Sequence, residues 1–210
     1  MTYTDTDLLA SRDLEAAFLA GAPDHACAWL ANAREKAARD KDELRTLFPM
    51  AARACGRTPL HDGWRTDDAA RVLLLASLPW PDPDRLLNLY ADGDADEKRA
   101  VLLALDRIDL DDRALPIVED ALRTNDTRLI TAALGPYAAS HLSPPAYRHA
   151  VLKCVFCGIP LASVSGLADR ADAELARMLG DLAAERVAAG RPVPDEVWPV
   201  LARFPQPWSL

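Results

Sequence analysis

The stretch Leu86-Leu-Asn-Leu-Tyr-Ala-Asp-Gly-Asp-Ala-Asp-Glu-Lys-Arg-Ala-Val-Leu-Leu-Ala-Leu105 decides the fold. Two segments rich in leucine and alanine flank an acidic turn, and the pattern predicts two antiparallel helices, 84–91 and 95–108. The turn itself, Asp92 to Glu97, has a faint calcium-loop look. Its glycine is misplaced for such a loop and the twelfth-position glutamate is missing, so a solvated turn is the expectation.

Working outward, the unit of about 84–124 reads as a HEAT-type α-α hairpin extended by a helix over 112–124. One such unit does not make a regular solenoid, so the regularity of the array stays open. Helical signals continue on both sides: 4–20, 24–39, 42–55, 67–78, 127–140, 144–157, 169–189, and a last helix from Pro194. Asp24 and Thr66 are expected caps, Pro49 an expected kink, and Gly56 a stop. No Gly/Ser-rich linker separates halves. The fold class expected is all-α, a single-domain multi-helix array over residues 1–210 with HEAT-like, solenoid-like packing.

Composition agrees. Hydrophobic residues make up 50% of the chain and aromatic residues only 6%, with alanine and leucine dominant, which favours close-packed helices over sheets. The formal net charge of −8 repels nucleic-acid phosphates and anionic membrane surfaces, so no nucleic acid partner is expected. The longest uncharged run, 154–168, is broken by Gly158, Pro160 and Gly166 and falls short of the ~20 apolar residues a spanning helix needs, so no membrane insertion is expected. The first residues do not resemble a secretory signal, and a cytoplasmic location is expected.

Cys154 and Cys157 form a lone CxxC, with no second CxxC and no histidine pair at metal spacing. They and Cys27 and Cys55 read as packing side chains in a reducing compartment, without metal and without disulfides. Nucleotide-binding loops, the nucleophile elbow and the H-E-x-x-H motif are all missing. The residues name no reaction and no cofactor.

More informative are polar residues that invade apolar faces. Beyond Leu175, Met178, Leu179 and Leu182, one further turn of the same face lands on Glu185 and Arg186. They read either as a structural pair at the helix end or as an inward-facing contact for a polar ligand. Lys153 stands in the apolar run 151–157, either snorkelling to the rim or buried with a partner, where desolvation would lower its pKa and could make it an amine nucleophile or base. Asn125 follows the Leu115, Val118, Leu122 face, where capping is the favoured role. Tyr137, after Gly135-Pro136, is expected to bury its ring and to need a hydroxyl partner.

A constellation of these residues resembles the EboA-domain family of bacterial proteins. It comprises Arg123-Thr-Asn125, Pro136-Tyr137, Val151-Leu-Lys153, Phe156, Gly158, Pro160-Leu161, Gly166-Leu167 with Arg170, Glu174 to Leu179, and Ala184-Glu-Arg186 through Arg191 to Trp198. The likeness is strongest over 123–204 and weaker upstream through Pro49 to Gly56, Trp64 and Ala70-Arg71 to Leu75. The chain departs from the family pattern at Gly135, where Asn is expected. It departs again at Arg148-His149, near an expected Asn-Gln pair, and at Asp172, where Asn is usual.

The resemblance implies a gene neighbourhood with a prenyltransferase-like membrane protein, a sugar-isomerase-like barrel, a dehydroquinate-synthase-like enzyme and a metal-dependent hydrolase. Such a cluster suggests biosynthesis or export of a small metabolite, in some cyanobacteria a pigment precursor. Two functions follow as expectations. One is a polar pocket between the C-terminal helices, where Lys153, Arg170, Glu185, Arg186 and Arg191 meet a polar or phosphorylated metabolite oriented by Asn125 and Tyr137. The other is a non-catalytic interaction module for cluster-encoded proteins, anchored by Trp80 and Trp208.

Overall fold

A computed structural model describes residues 11–60, 63–78, 82–108 and 110–204. Trp80 and Trp208 lie outside these residues. Among them the chain forms thirteen α-helices and no strand, and the fold is all-α. It divides into two compact units, one ending at Asp120 and one beginning at Ala121.

The first unit contains α1 (Ser11–Gly21), α2 (Asp24–Arg39), α3 (Leu44–Cys55), α4 (Thr66–Ala76), α5 (Pro83–Asp92) and α6 (Ala95–Ala104). Every residue of α4 from Thr66 to Leu75 is buried, and α1, α3 and α6 pack around it. Its sequence from Ala69 to Leu75 is apolar all round except at Arg71, as a central helix requires. Thr66, expected as the cap, is instead the first helical residue. Its hydroxyl donates to the Gly56 carbonyl at 2.8 Å and accepts from the Thr58 amide at 3.1 Å, tying the preceding loop to the helix start.

The α5–α6 hairpin forms where the opening stretch predicts it. Asp94 caps α6 in a reciprocal box with Glu97: the Glu97 amide donates to the Asp94 carboxylate at 2.9 Å, and the Asp94 amide to the Glu97 carboxylate at 3.1 Å. The acidic turn is therefore a capping device. Leu86, Leu89 and Tyr90 bury the inner face of α5, and Ala100, Val101, Leu102 and Ala104 that of α6.

From α7 (Leu115–Arg123) the chain enters the second unit: α8 (Thr127–Ala133), α9 (Pro136–His141), α10 (Pro144–Cys157), α11 (Leu167–Arg170), α12 (Ala173–Ala188) and α13 (Val197–Ala202). The single helix expected over 127–140 is two, because Gly135-Pro136 stops α8 and restarts the chain as α9. The helix expected over 169–189 is also two: Ala171 is extended, and Asp172 caps α12 by accepting from the Leu175 amide at 2.8 Å. Gly158 ends α10 in the left-handed conformation that glycine adopts without penalty. Helix α3 runs unbroken through Pro49.

Candidate functional site

Four of the seven residues singled out by sequence are committed to holding the backbone or to stacking. Lys153 is half-buried, and its Nζ donates to the carbonyls of Leu122 at 2.5 Å and Thr124 at 2.6 Å, closing the C-terminal end of α7. A cation there meets the negative end of the helix and satisfies carbonyls that the helix leaves open. Arg170 does the same for α9. Its guanidinium donates to the carbonyls of Ala138, Ala139 and Leu142 at 3.2, 2.8 and 2.6 Å, and lies 4.1 Å from the ring centroid of Tyr147.

Gly166 makes that reach possible. Its backbone is left-handed, and a Cβ there would stand 2.9 Å from Ala139, so only glycine lets the start of α11 approach so closely. Tyr147 is buried, donates to the Ser165 carbonyl at 2.7 Å, and burial pushes its hydroxyl up to about 12. Tyr137 buries its ring as expected and stacks on His141 at 4.3 Å between centroids.

Arg186 reaches past the end of α12, its Nε donating to the Pro192 carbonyl at 2.8 Å. The buried face of α12 is Leu175, Ala176, Leu179, Gly180 and Ala183, so the stripe ends before the charged pair. Glu185, Arg191 and Asn125 are exposed.

Two features of the first unit escaped the sequence reading. One is a charge network at the start of α4. Asp67 and Asp68 are fully buried and Arg71 is 1% exposed. Arg71 binds Asp67 at 3.1 Å and donates from Nε to the Phe48 carbonyl at 3.1 Å. Arg65 joins Asp67 at 3.1 Å, Asp68 at 3.3 Å and Asp96 at 3.2 Å, and Arg99 binds Asp68. Burial raises the Asp68 carboxyl above its ordinary value, against the pull of Arg99 and Arg65. The signal was an aspartate–arginine pair four residues apart inside a helix with no polar face.

The other feature is a cavity of about 450 Å³ bounded by the end of α2, the start of α3, the end of α4 and the start of α5. Leu44, Leu75, Leu86, Leu89 and Leu110 form buried apolar walls, with Leu78 and Ile108 half-buried beside them. Arg39, Asp40 and Lys41 are exposed lining residues, and Asp82 and Arg85 are half-buried. Arg85 bridges two sides of the cavity, donating from Nη1 to the Lys41 carbonyl at 2.7 Å and from Nη2 to the Asp42 carboxylate at 3.0 Å. Volume and lining fit a small-molecule site, which is typically ~300–1,000 Å³ with apolar walls and a few polar groups.

A family model described as "Metabolite traffic protein EboA" matches residues 50–202, more than half of the chain. The chain belongs to the EboA family. The matched span takes in α4 and its buried charges, the α5–α6 hairpin and all the helices of the second unit, so this EboA chain carries both the capping residues and much of the cavity wall inside the family region. Comparisons with curated proteins and with solved structures give no match. Among the described residues of this EboA chain, no helix is long and apolar enough to cross a membrane.

Proposed function

We propose that this EboA-family chain is a ligand-binding component of metabolite traffic, and that it holds a small, largely apolar metabolite in the cavity of its first unit. The observation that carries this reading is the cavity itself: about 450 Å³, walled by buried leucines, with Arg39, Asp40 and Lys41 exposed in its lining. Its arrangement suits binding and release: apolar walls supply affinity and peripheral charges set orientation. The family's description as a traffic protein supports the same reading. The C-terminal polar residues are the weaker candidate for the ligand site, because Lys153 and Arg170 already spend most of their donors on carbonyls and Arg186 gives its Nε to one.

A thermal-shift panel of aliphatic alcohols and acids against the whole chain tests this, since a ligand bound only by the native state raises the melting temperature. The wild type is expected to respond and Leu78→Trp, which fills the cavity, is not. A response that survives Leu78→Trp and disappears in Arg186→Glu would move the site to the C-terminal helices.

A second reading, an interaction module for proteins of the same pathway, is favoured by exposed apolar side chains in the second unit. Phe156 is 74% exposed and Val187 52%, where a free surface gains nothing from them. Phe156→Ser should weaken co-elution with a pathway protein while leaving ligand response intact.

A further inference from the structure

The described lining of the cavity falls into two parts. Leu44, Leu75, Leu86, Leu89 and Leu110 are buried, whereas every residue of the run 38–41 is exposed, so solvent meets the cavity along the end of α2. That run continues into a single 3₁₀ turn, Lys41–Glu43, in which no residue is buried. Ala37 before it and Leu44 after it are buried and line the cavity, so 38–43 is a stretch of six exposed residues hung between two anchored ends. A segment with no buried side chain opens at little cost, because its release brings little apolar surface into water. Within it the Asp42 amide donates to the Asp40 carboxylate at 2.9 Å, which keeps the shape of the turn whether or not the segment touches anything else.

Arg85 fastens this segment to α5. Its Nη1 donates to the Lys41 carbonyl at 2.7 Å and its Nη2 to the Asp42 carboxylate at 3.0 Å. The two ends of the fastening differ. The Arg85 side chain is 18% exposed and belongs to the cavity wall, while that of Asp42 is 76% exposed and stands outside the lining. An ion pair with one end in water is weak and screened by salt, and such a pair shifts an equilibrium by only about two- to fivefold.

Resting on the cavity as the ligand site, we propose that residues 38–43 are a flap at the edge of the cavity and that the Arg85–Asp42 pair is its latch. With the latch closed the flap retains a ligand, and with the latch released the ligand enters and leaves past the end of α2. Because Asp42 stands outside the lining, the latch sets how fast a ligand passes and not how tightly the leucines hold it.

Methyl NMR line shapes of the whole leucine-labelled chain, titrated with decanol, give both exchange rates and test this. Decanol is neutral, so salt acts on the latch without acting on a ligand charge. Asp42→Ala, a change at an exposed position, should raise the association and dissociation rates together by about two- to fivefold and leave the dissociation constant within about twofold of the wild type. Raising sodium chloride from about 0.1 M to about 1 M should close the gap in rates between the two proteins, because the wild-type pair is then screened. Equal rates at low salt, a gap that persists at high salt, or a dissociation rate that rises alone as affinity falls overturns the latch and leaves the cavity reading standing. If the Leu86 and Leu89 methyls stay unmoved throughout the titration, the cavity reading falls and the latch with it.

Discussion

Arg148 and Asp172 meet in a forked ion pair, Nε standing 3.1 Å from both carboxylate oxygens and Nη2 2.5 Å from Oδ2. Both stand out in the sequence as departures expected from the resemblance to the EboA family, and the fold brings the two side chains together. Asp172 also caps α12, so the pair ties α10 to the start of that helix. A thermal-melt cycle checks the coupling. Arg148→Asn and Asp172→Asn should each lower the melting temperature, and the double variant should lose less than the sum of the two. Additive losses would show that the two residues act independently.

Lys153 is expected to act as a helix-closing residue. Lys153→Met removes two charged hydrogen bonds and leaves the Leu122 and Thr124 carbonyls without that donor, a loss of about 2 kcal/mol in denaturant unfolding. Its effect on decanoate affinity in the folded protein should be negligible. A large affinity loss with unchanged stability would place Lys153 in a ligand site.

The charges buried in α4 predict a severe variant. Arg71→Met leaves Asp67 buried with less compensation, and breaking such a pair typically costs about 3–5 kcal/mol, a large share of a domain's stability. Urea unfolding should show the first unit strongly destabilised, whereas the exposed Arg191→Met should melt like the wild type.

Thiol reactivity divides the cysteines. Burial pushes Cys55 and Cys154 up to about 12, so at pH 8 each is almost wholly thiol and enclosed. Cys27 and Cys157 are partly exposed. A chromogenic disulfide reagent should therefore titrate two thiols quickly in the native protein and all four after denaturation.

Acid should loosen the second unit. Asp126, held by Arg128, and Asp172, held by Arg148, both have depressed carboxyl values. Their stabilisation is full above the ordinary aspartate value of ~3.9 and is lost as pH falls through the lower folded values. Asp68 has the opposite sign: its raised value makes ionisation oppose folding, so its contribution worsens as pH climbs from ~3.9 through the folded value. Melting curves of Asp172→Asn against the wild type from neutral pH downward should converge as the carboxyl is protonated.

Much of this architecture was legible in the chain. The α5–α6 hairpin and α10 lie within a residue or so of their expected start points, because capping aspartates, prolines and Gly158 mark helix ends by local chemistry. Where an expectation ran two helices together, at Gly135-Pro136 and at Ala171-Asp172, a start signal stood inside an apolar pattern and periodicity masked it. Lys153 and Arg186 were visible as polar residues on apolar faces, but capping is expected only of Asn125, and the carbonyls that Lys153, Arg170 and Arg186 meet lie on other segments that the spacing does not show. The cavity was not legible. Leu75, Leu86 and Leu110 show the same spacing whether they fill a core or line a space, and only the packing of four chain segments separates the two.

The central claim is that the first unit takes an aliphatic ligand between α2 and α5, and methyl-resolved NMR of the leucine-labelled chain during titration with decanoate tests it most directly. Saturable shifts at Leu44, Leu75, Leu86, Leu89 and Leu110, with Leu175 and Leu179 of α12 unmoved, are the result predicted. Unchanged cavity methyls at saturating ligand, or shifts centred on α12, would contradict it.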